Sequence, residues 1–194
     1  MLVKVTENFY RIDNIFSDKM LNKLLSIFAE DKTDWTVHPD GKSQVPRLEY
    51  RPEIDPIRYA NFLQLRKELY VELKPVVDLA ESLVGKIYQN VPQLWYDREG
   101  YINTIHNGDV SPNHHVNVQI YLCDGNENMS TYCYDKISED SNTKAWHTVP
   151  YRFNCGYMLL HPTKIPHGMK HRVVDKRMSI YQGFRGTEEE NTKW

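Results

Sequence analysis

The spacing of apolar residues changes at Pro92, and this change constrains the fold more than any other feature of the chain. Before Pro92, apolar side chains recur every three or four positions, as they do on one face of an amphipathic helix. After it, runs of four to seven residues alternate between apolar and polar side chains, as β-strands do. The sequence therefore predicts helices in the first half and a β-structure in the second.

The first half predicts two helical stretches and little regular structure between them. Residues 8–16 are expected to form a short strand and turn, and Ser17-Asp18-Lys19 then gives an N-cap signal for a helix over residues 18–30. Residues 31–56 are rich in Pro, Asp and Lys, which predicts an irregular segment with one strand at 34–38. A second helical stretch is expected from residue 56 to about 87, with Pro75 able to break it. Its predicted apolar side consists of Phe62, Leu65, Leu69, Leu73, Val76, Ala80, Leu83 and Ile87.

The second half predicts eight short strands, at residues 93–97, 101–106, 115–122, 130–135, 147–152, 156–160, 168–173 and 176–184. Short strands that follow helices favour an antiparallel barrel or jelly roll with the helices packed on one outer face. In the segment VNVQIYL, Val116, Val118, Ile120 and Leu122 alternate with Asn117, Gln119 and Tyr121. This pattern suits a strand with helices on one side and a cavity on the other, although a half-exposed strand would show it too.

Length and composition restrict the classes of protein that remain. With 194 residues, of which 40% are apolar, one domain is expected: a helical support over 1–90, a β-core over 91–186 and a tail over 187–194. A net charge of −2 argues against a nucleic-acid partner. The three cysteines lack CxxC spacing, which favours a reducing cytoplasm. No apolar run approaches the roughly 18 residues of a membrane span, so no membrane association is expected.

Two histidines and one aspartate in the β-half are candidate metal ligands. His106 ends the segment YINTIH before the turn residues Asn107-Gly108, Asp109 follows, and His167 lies between a proline and a glycine in KIPHGM. Two imidazoles and one carboxylate fill three positions of an octahedral ion and leave three open, the arrangement of non-haem iron(II) oxygenases. The sequence therefore predicts an iron(II) site formed by these three side chains.

Arg177, ten residues after His167, is a candidate for binding an organic acid. It shares one face of the last predicted strand with Ser179 and Tyr181, opposite Met178 and Ile180. A guanidinium presents two parallel N–H donors that match a carboxylate, and a neighbouring hydroxyl can add a third hydrogen bond. The alternative is that Arg177 lies on the surface in a salt bridge.

Several motifs between about residues 93 and 184 resemble the 2-oxoglutarate- and iron(II)-dependent oxygenases. The resemblance is strongest to the short prolyl-4-hydroxylase-like members found in bacteria and phages. The motifs that carry it are Asp97-x-x-Gly100-Tyr101 leading to His106, QIYL at 119–122, NCGYMLL at 154–160, HGM at 167–169 and RMS at 177–179.

The resemblance implies a double-stranded β-helix, a cupin-like jelly roll, flanked by helices. It further implies that His106, Asp109 and His167 bind iron(II), and that Arg177 and Ser179, with Tyr121, bind the distal carboxylate of 2-oxoglutarate. The expected reaction uses O2 to oxidise, most simply to hydroxylate, a small-molecule or peptidyl substrate while 2-oxoglutarate becomes succinate.

One departure from the family leaves the third iron ligand open. The family carboxylate lies two residues after the first histidine, where this chain has Gly108. Asp109 reaches the iron if the turn bulges by one residue, which Gly108 makes easy. Alternatively, the site lacks a carboxylate, as in the related halogenases. In a third alignment, His114 replaces His106 as the first ligand, but Val116 then stands at the carboxylate position and cannot bind a metal.

Two other functions remain compatible with the sequence. A non-catalytic, cupin-like binding module would have histidines that do not meet, and it would have no need for an inward Arg-x-Ser after a histidine. A nucleic-acid demethylase of the same superfamily would need a basic, aromatic groove, which the near-neutral charge disfavours. Exposure of Arg177 to solvent would favour the binding module.

Overall fold

A computed structural model describes residues 1–29, 34–38, 45–52, 55–107, 114–137, 143–161 and 164–186. Three helices occur in these ranges: α1 (Asp18–Ala29), α2 (Pro56–Glu72) and α3 (Lys74–Val84). The strands are β1 (Leu2–Lys4), β2 (Phe9–Asp13), β3 (Trp35–Val37), β4 (Leu48–Tyr50), β5 (Tyr88–Gln89), β6 (Gln93–Arg98), β7 (His114–Tyr121), β8 (Thr131–Cys133), β9 (His147–Val149), β10 (Cys155–Leu160), β11 (His167–Gly168) and β12 (Lys176–Arg185).

In the described residues, the strands form two antiparallel sheets. The major sheet has nine strands in the order β1-β2-β10-β7-β12-β6-β4-β3, with β5 paired to β12. The minor sheet has three strands in the order β11-β8-β9. Tyr121 and Leu159 of the major sheet and Cys133 and Val149 of the minor sheet belong to one buried cluster, so the two sheets face each other. The predicted fold class, a mainly β double-stranded β-helix with N-terminal helices, is confirmed.

The helices cover the outer face of the major sheet. Val118 and Ile120 of β7 lie in the same buried apolar cluster as Leu24 of α1, Leu69 of α2 and Val76 of α3. The alternate residues of β7 face the interior between the sheets. The predicted apolar side toward the helices is therefore confirmed, and the polar side lies in the interior between the two sheets.

The predicted second helical stretch is interrupted near Pro75. Asp55 caps α2 by accepting hydrogen bonds from the backbone N–H groups of Ile57 and Arg58. A proline in the first turn of a helix needs no N–H partner, so Pro75 starts α3 rather than continuing α2. Leu83, predicted on the apolar side, is 48% exposed, and that assignment is wrong. None of the described helices is long and apolar enough to cross a membrane.

Two predicted strands, at 101–106 and 168–173, do not form a regular ladder with each other, and of their residues Gly168 alone belongs to a strand, β11. The backbone N–H of Met169 donates to Asn103 O at 2.7 Å, and the N–H of Val173 donates to Tyr101 O at 2.8 Å. Four residues on one segment thus correspond to two on the other, and a regular ladder cannot accommodate that mismatch. Three strands were not predicted: β1 and β5, because two or three residues are too few to show a period, and β4, because it lies in the segment expected to be irregular.

Candidate metal and anion site

His106 and His167 meet across an isolated antiparallel bridge at the edge of the minor sheet. Each backbone N–H donates to the other residue's carbonyl oxygen at 2.9 Å. Gly168 allows this close approach, because a Cβ at that position would lie 2.8 Å from backbone atoms of Thr104 and Ile105. The two imidazole rings consequently lie side by side, with their centroids 4.6 Å apart.

Hydrogen bonds to the backbone fix the tautomer of both rings. Nδ1 of His106 lies 2.8 Å from Thr104 O, and Nδ1 of His167 lies 2.9 Å from Ile165 O. A carbonyl oxygen only accepts, so each Nδ1 carries a proton and donates it to the backbone. Metal-binding histidines in proteins are commonly held in this way.

The environment of His167 keeps its ring neutral. Burial and the nearby His106 together lower the pKa of His167 to about 3, and the hydrogen bond to Ile165 only partly opposes them. A neutral imidazole is the form that binds metals. Two imidazoles bound to one ion at right angles, with metal–nitrogen bonds of about 2.1 Å, have centroids about 4.5 Å apart. The observed pair therefore fits a shared metal ion.

The predicted third ligand, Asp109, lies outside the described residues, as does Gly108. His114 begins β7, but its side chain is not among those described. Within the described part of the chain, no third His, Cys, Asp or Glu joins the pair to form a metal-binding group. The choice between Asp109, His114 and a carboxylate-free site therefore stays a prediction.

Arg177 lies inside the barrel and is only 2% exposed. Its Nη1 donates to Asp97 Oδ2 at 3.0 Å and its Nη2 donates to Thr131 Oγ1 at 3.3 Å, while its Nε has no hydrogen-bond partner among the described residues. The guanidinium carbon lies 4.9 Å from the ring centroid of Tyr121. Burial alone would lower the pKa of Arg177, but Tyr121 and Asp97 raise it, so the side chain stays charged.

Asp97 is shared by two buried arginines. Arg47 Nε donates to Asp97 Oδ1 at 2.6 Å, and Arg47 Nη2 donates to Asp97 Oδ2 at 3.1 Å. These contacts add to the bond from Arg177. We refer to Arg47, Asp97 and Arg177 as the buried charge cluster.

Ser179 and Gln119 connect the region of Arg177 to the histidine pair. Gln119 Nε2 donates to Ser179 Oγ at 3.1 Å, and Tyr157 OH donates to Gln119 Oε1 at 2.6 Å. The ring of Tyr157 meets that of His167 edge to face, with centroids 5.9 Å apart. A continuous set of buried polar side chains therefore runs from Ser179 to His167.

Tyr121 completes the wall beside Arg177. Its hydroxyl lies 2.5 Å from Thr131 Oγ1, and its ring packs against the guanidinium. Burial raises the pKa of Tyr121, so the phenol remains protonated and able to donate a hydrogen bond. The structure thus places the three predicted carboxylate-binding residues, Arg177, Ser179 and Tyr121, on the inner face of adjacent strands β7 and β12.

Sequence reasoning gave no role to Asp97, Arg47 or Thr131. Asp97 was visible in the motif Asp97-x-x-Gly100-Tyr101, but its contact with Arg177 depends on the pairing of β6 with β12. Arg47 was overlooked because residues 31–56 were expected to be irregular. The alternation in RLEY was a signal for β4, since Arg47 and Glu49 face inward while Tyr50 joins the outer cluster.

Comparison of sequences gave no relatives. No protein-family model matches the chain, and no curated protein sequence matches it significantly.

Comparison of structures, in contrast, gave many similar proteins. HygX from Streptomyces hygroscopicus, solved with nickel and 2-oxoglutarate, has a TM-score of 0.65 at 15% identity, covering 96% of this chain and 85% of HygX. The viral collagen prolyl hydroxylase of Paramecium bursaria Chlorella virus-1, in its 2-oxoglutarate complex, has a TM-score of 0.58 at 10% identity, with coverage of 93% and 97%. A Pseudomonas putida prolyl-4-hydroxylase has a TM-score of 0.58 at 11% identity, with coverage of 93% of each chain. The chain therefore has the double-stranded β-helix fold of these 2-oxoglutarate-dependent enzymes.

Proposed function

We propose that this protein is a 2-oxoglutarate- and iron(II)-dependent oxygenase that hydroxylates its substrate with O2. The observation that carries the proposal is the meeting of His106 and His167, whose ring centroids lie 4.6 Å apart. The two histidines are far apart in sequence, and their Nδ1 atoms are both held by backbone carbonyls. A pair of packing histidines would have no reason to share this arrangement.

In the proposed site, His106, His167 and Asp109 hold the iron, while Arg177, Ser179 and Tyr121 hold the distal carboxylate of 2-oxoglutarate. Iron(II) bound with 2-oxoglutarate supplies the oxidising chemistry, in which O2 is consumed and 2-oxoglutarate is decarboxylated to succinate. The protein orients the cosubstrate through Arg177 and excludes water from it, because the side chains around the guanidinium are buried.

Burial of Arg177 favours an enzyme over a binding module. An exposed Arg177 would have supported the cupin-like binding module, and the residue instead lies inside the barrel beside Thr131 and Tyr121. The histidines also meet, which the binding module does not require. Both observations support the oxygenase.

We further propose a small-molecule or peptidyl substrate and a cytoplasmic protein of the short prolyl-4-hydroxylase-like group. HygX was solved with hygromycin B, and a prolyl hydroxylase from Trichoplax adhaerens was solved with a hypoxia-inducible-factor peptide fragment. Proteins of this fold thus accept both kinds of ligand. The free thiols of Cys123, Cys133 and Cys155 suit a reducing compartment.

The test is a measurement of succinate from purified protein given iron(II), 2-oxoglutarate and O2. We expect slow succinate formation even without the substrate. His167→Ala should abolish both metal binding and succinate formation, because it removes one of the three proposed iron ligands. His171→Ala is the matched control, since His171 is exposed on the same segment, and it should behave like the wild type. Normal metal stoichiometry in His167→Ala would contradict the proposal.

The same measurement distinguishes the candidates for the third ligand. If Asp109 binds the metal, Asp109→Ala weakens metal binding and His114→Ala does not. If His114 is the first ligand, the opposite result is expected. A carboxylate-free site predicts that Asp109→Ala binds the metal as the wild type does.

A further inference from the structure

The side chain of Arg47 contacts two aromatic rings in addition to its ion pair with Asp97. Its guanidinium lies 3.8 Å from the ring centroid of Trp95 and 4.8 Å from that of Tyr101. The other face of Trp95 stacks on Tyr181 at 4.7 Å. Arg47 therefore lies between two aromatic rings. These contacts fix the orientation of the guanidinium that donates hydrogen bonds to Asp97.

The buried charge cluster carries one net positive charge, since two arginines share a single carboxylate. Both oxygens of Asp97 are engaged by Arg47, and Oδ2 also accepts the bond from Arg177. The nearest buried carboxylate on β4, Glu49, is occupied by Arg51 and His38 at 3.0 and 2.7 Å. An uncompensated charge in a protein interior is unfavourable, so the cluster is suited to one anionic group.

The unpartnered Nε of Arg177 is an independent sign of a missing partner. Buried N–H groups are almost always hydrogen-bonded, and this one belongs to a charged side chain that is otherwise engaged. A carboxylate bound there would satisfy the N–H and neutralise the cluster.

We propose that Arg47 is a positioning residue that preserves the positive charge of Arg177 for the cosubstrate. Without Arg47, Asp97 would pair one-to-one with Arg177, and the cluster would be neutral. The distal carboxylate of 2-oxoglutarate would then have to compete with Asp97 for the guanidinium. This inference rests on the proposed function, because it takes 2-oxoglutarate as the ligand of Arg177.

The test measures 2-oxoglutarate binding by calorimetry to nickel(II)-loaded protein, so that no turnover is needed. Arg47→Met should weaken binding by roughly tenfold or more, because it removes a buried positive charge near the carboxylate. The double variant Arg47→Met/Asp97→Asn removes one charge of each sign and should restore most of the affinity. A role for Arg47 in packing alone would not give this rescue. Arg98→Met is the matched control, since Arg98 is exposed on β6, and it should bind as the wild type does.

Asp97→Asn alone tests whether Asp97 competes with 2-oxoglutarate for Arg177, and it leaves Arg47 in place. It eliminates the competing carboxylate, so binding should be at least as tight as in the wild type, and weaker binding would overturn the inference. Nickel binding and the unfolding temperature of each variant check that its fold is retained.

The results separate this inference from the proposed function. Unchanged binding in Arg47→Met, together with lost binding in Arg177→Met, would overturn the role of Arg47 and leave the proposed function standing. Absence of 2-oxoglutarate binding in the nickel-loaded wild type would overturn the proposed function itself, and the inference with it.

Discussion

Along β7 and β12, the outer face of the major sheet is apolar and the inner face is largely polar, although side chains on both faces are buried. On the outer face, Val118, Ile120 and Ile180 pack against the helices in one apolar cluster. On the inner face of the same strands, Gln119 and Ser179 are just as inaccessible, yet they are polar and hydrogen-bonded to each other. Neighbouring residues of one strand are therefore equally shielded from water, but one side of the strand packs against helices and the other forms hydrogen bonds.

The difference shows which face stabilises the protein and which carries its chemistry. Burying an apolar side chain contributes about 1.5–3 kcal/mol, so the outer face favours folding directly. Buried ion pairs are often no more stabilising than apolar side chains of the same shape. The charges on the inner face are therefore better explained by a ligand than by stability, and variants on the two faces should have separable effects.

The largest expected effect on stability comes from the outer face. Ile120→Ala should lower the free energy of unfolding by about 2–5 kcal/mol, because it leaves a cavity between β7 and the helices. Binding of 2-oxoglutarate should be unchanged, as Ile120 points away from Arg177. Urea unfolding and calorimetry measure the two quantities. If the variant does not fold, Ile120→Val should lose about 0.5–1.5 kcal/mol. Weaker binding at unchanged stability would refute the separation of the faces.

The outer face was also the part best predicted from sequence. An apolar residue at every second position of β7, and at every third or fourth position of the helices, indicates burial directly, and both patterns predicted the buried positions correctly except at Leu83. The irregular pairing of 101–106 with 168–173 was missed, because alternating polarity does not reveal a mismatch in the number of residues between two partners.

The next effect concerns the inner face and the binding of 2-oxoglutarate. Arg177→Met should weaken 2-oxoglutarate binding by roughly a hundredfold, because loss of a charge-assisted contact with a carboxylate typically costs a few kcal/mol. Stability should change little, because Asp97 keeps both hydrogen bonds from Arg47. Metal binding should persist. Lys176→Met is the control: it removes the same charge from an exposed neighbour and should alter neither property. Loss of stability without loss of affinity would assign Arg177 to the core instead.

The inner face was only partly predictable. Arg177, Ser179 and Tyr121 were identified because strand parity and a family resemblance agreed on them. Arg47 could not be placed, since its role arises from sheet order: β4 pairs with β6, and β6 with β12. A contact between strands that are distant in sequence cannot be read from the residue pattern of either strand.

The smallest expected effect is the pH dependence that Glu49, on the inner face, gives to the free energy of unfolding. Burial raises the pKa of Glu49, but hydrogen bonds from His38 and Gln93 and the charge of Arg51 outweigh it and hold the pKa below its usual value of 4.5. A depressed pKa in the folded state contributes stability that is complete above about pH 4.5 and is lost as the pH falls further.

Glu49→Gln should remove this contribution, because the amide carries no charge at any pH. The variant should be less stable than the wild type at neutral pH, and the difference should shrink in acid, as measured by urea unfolding at several pH values. Glu7→Gln makes the same change at an exposed position and should leave the pH profile unchanged. A constant difference between Glu49→Gln and the wild type at every pH would mean that the side chain of Glu49 stabilises this edge of the sheet through its shape and neutral hydrogen bonds, not through its charge.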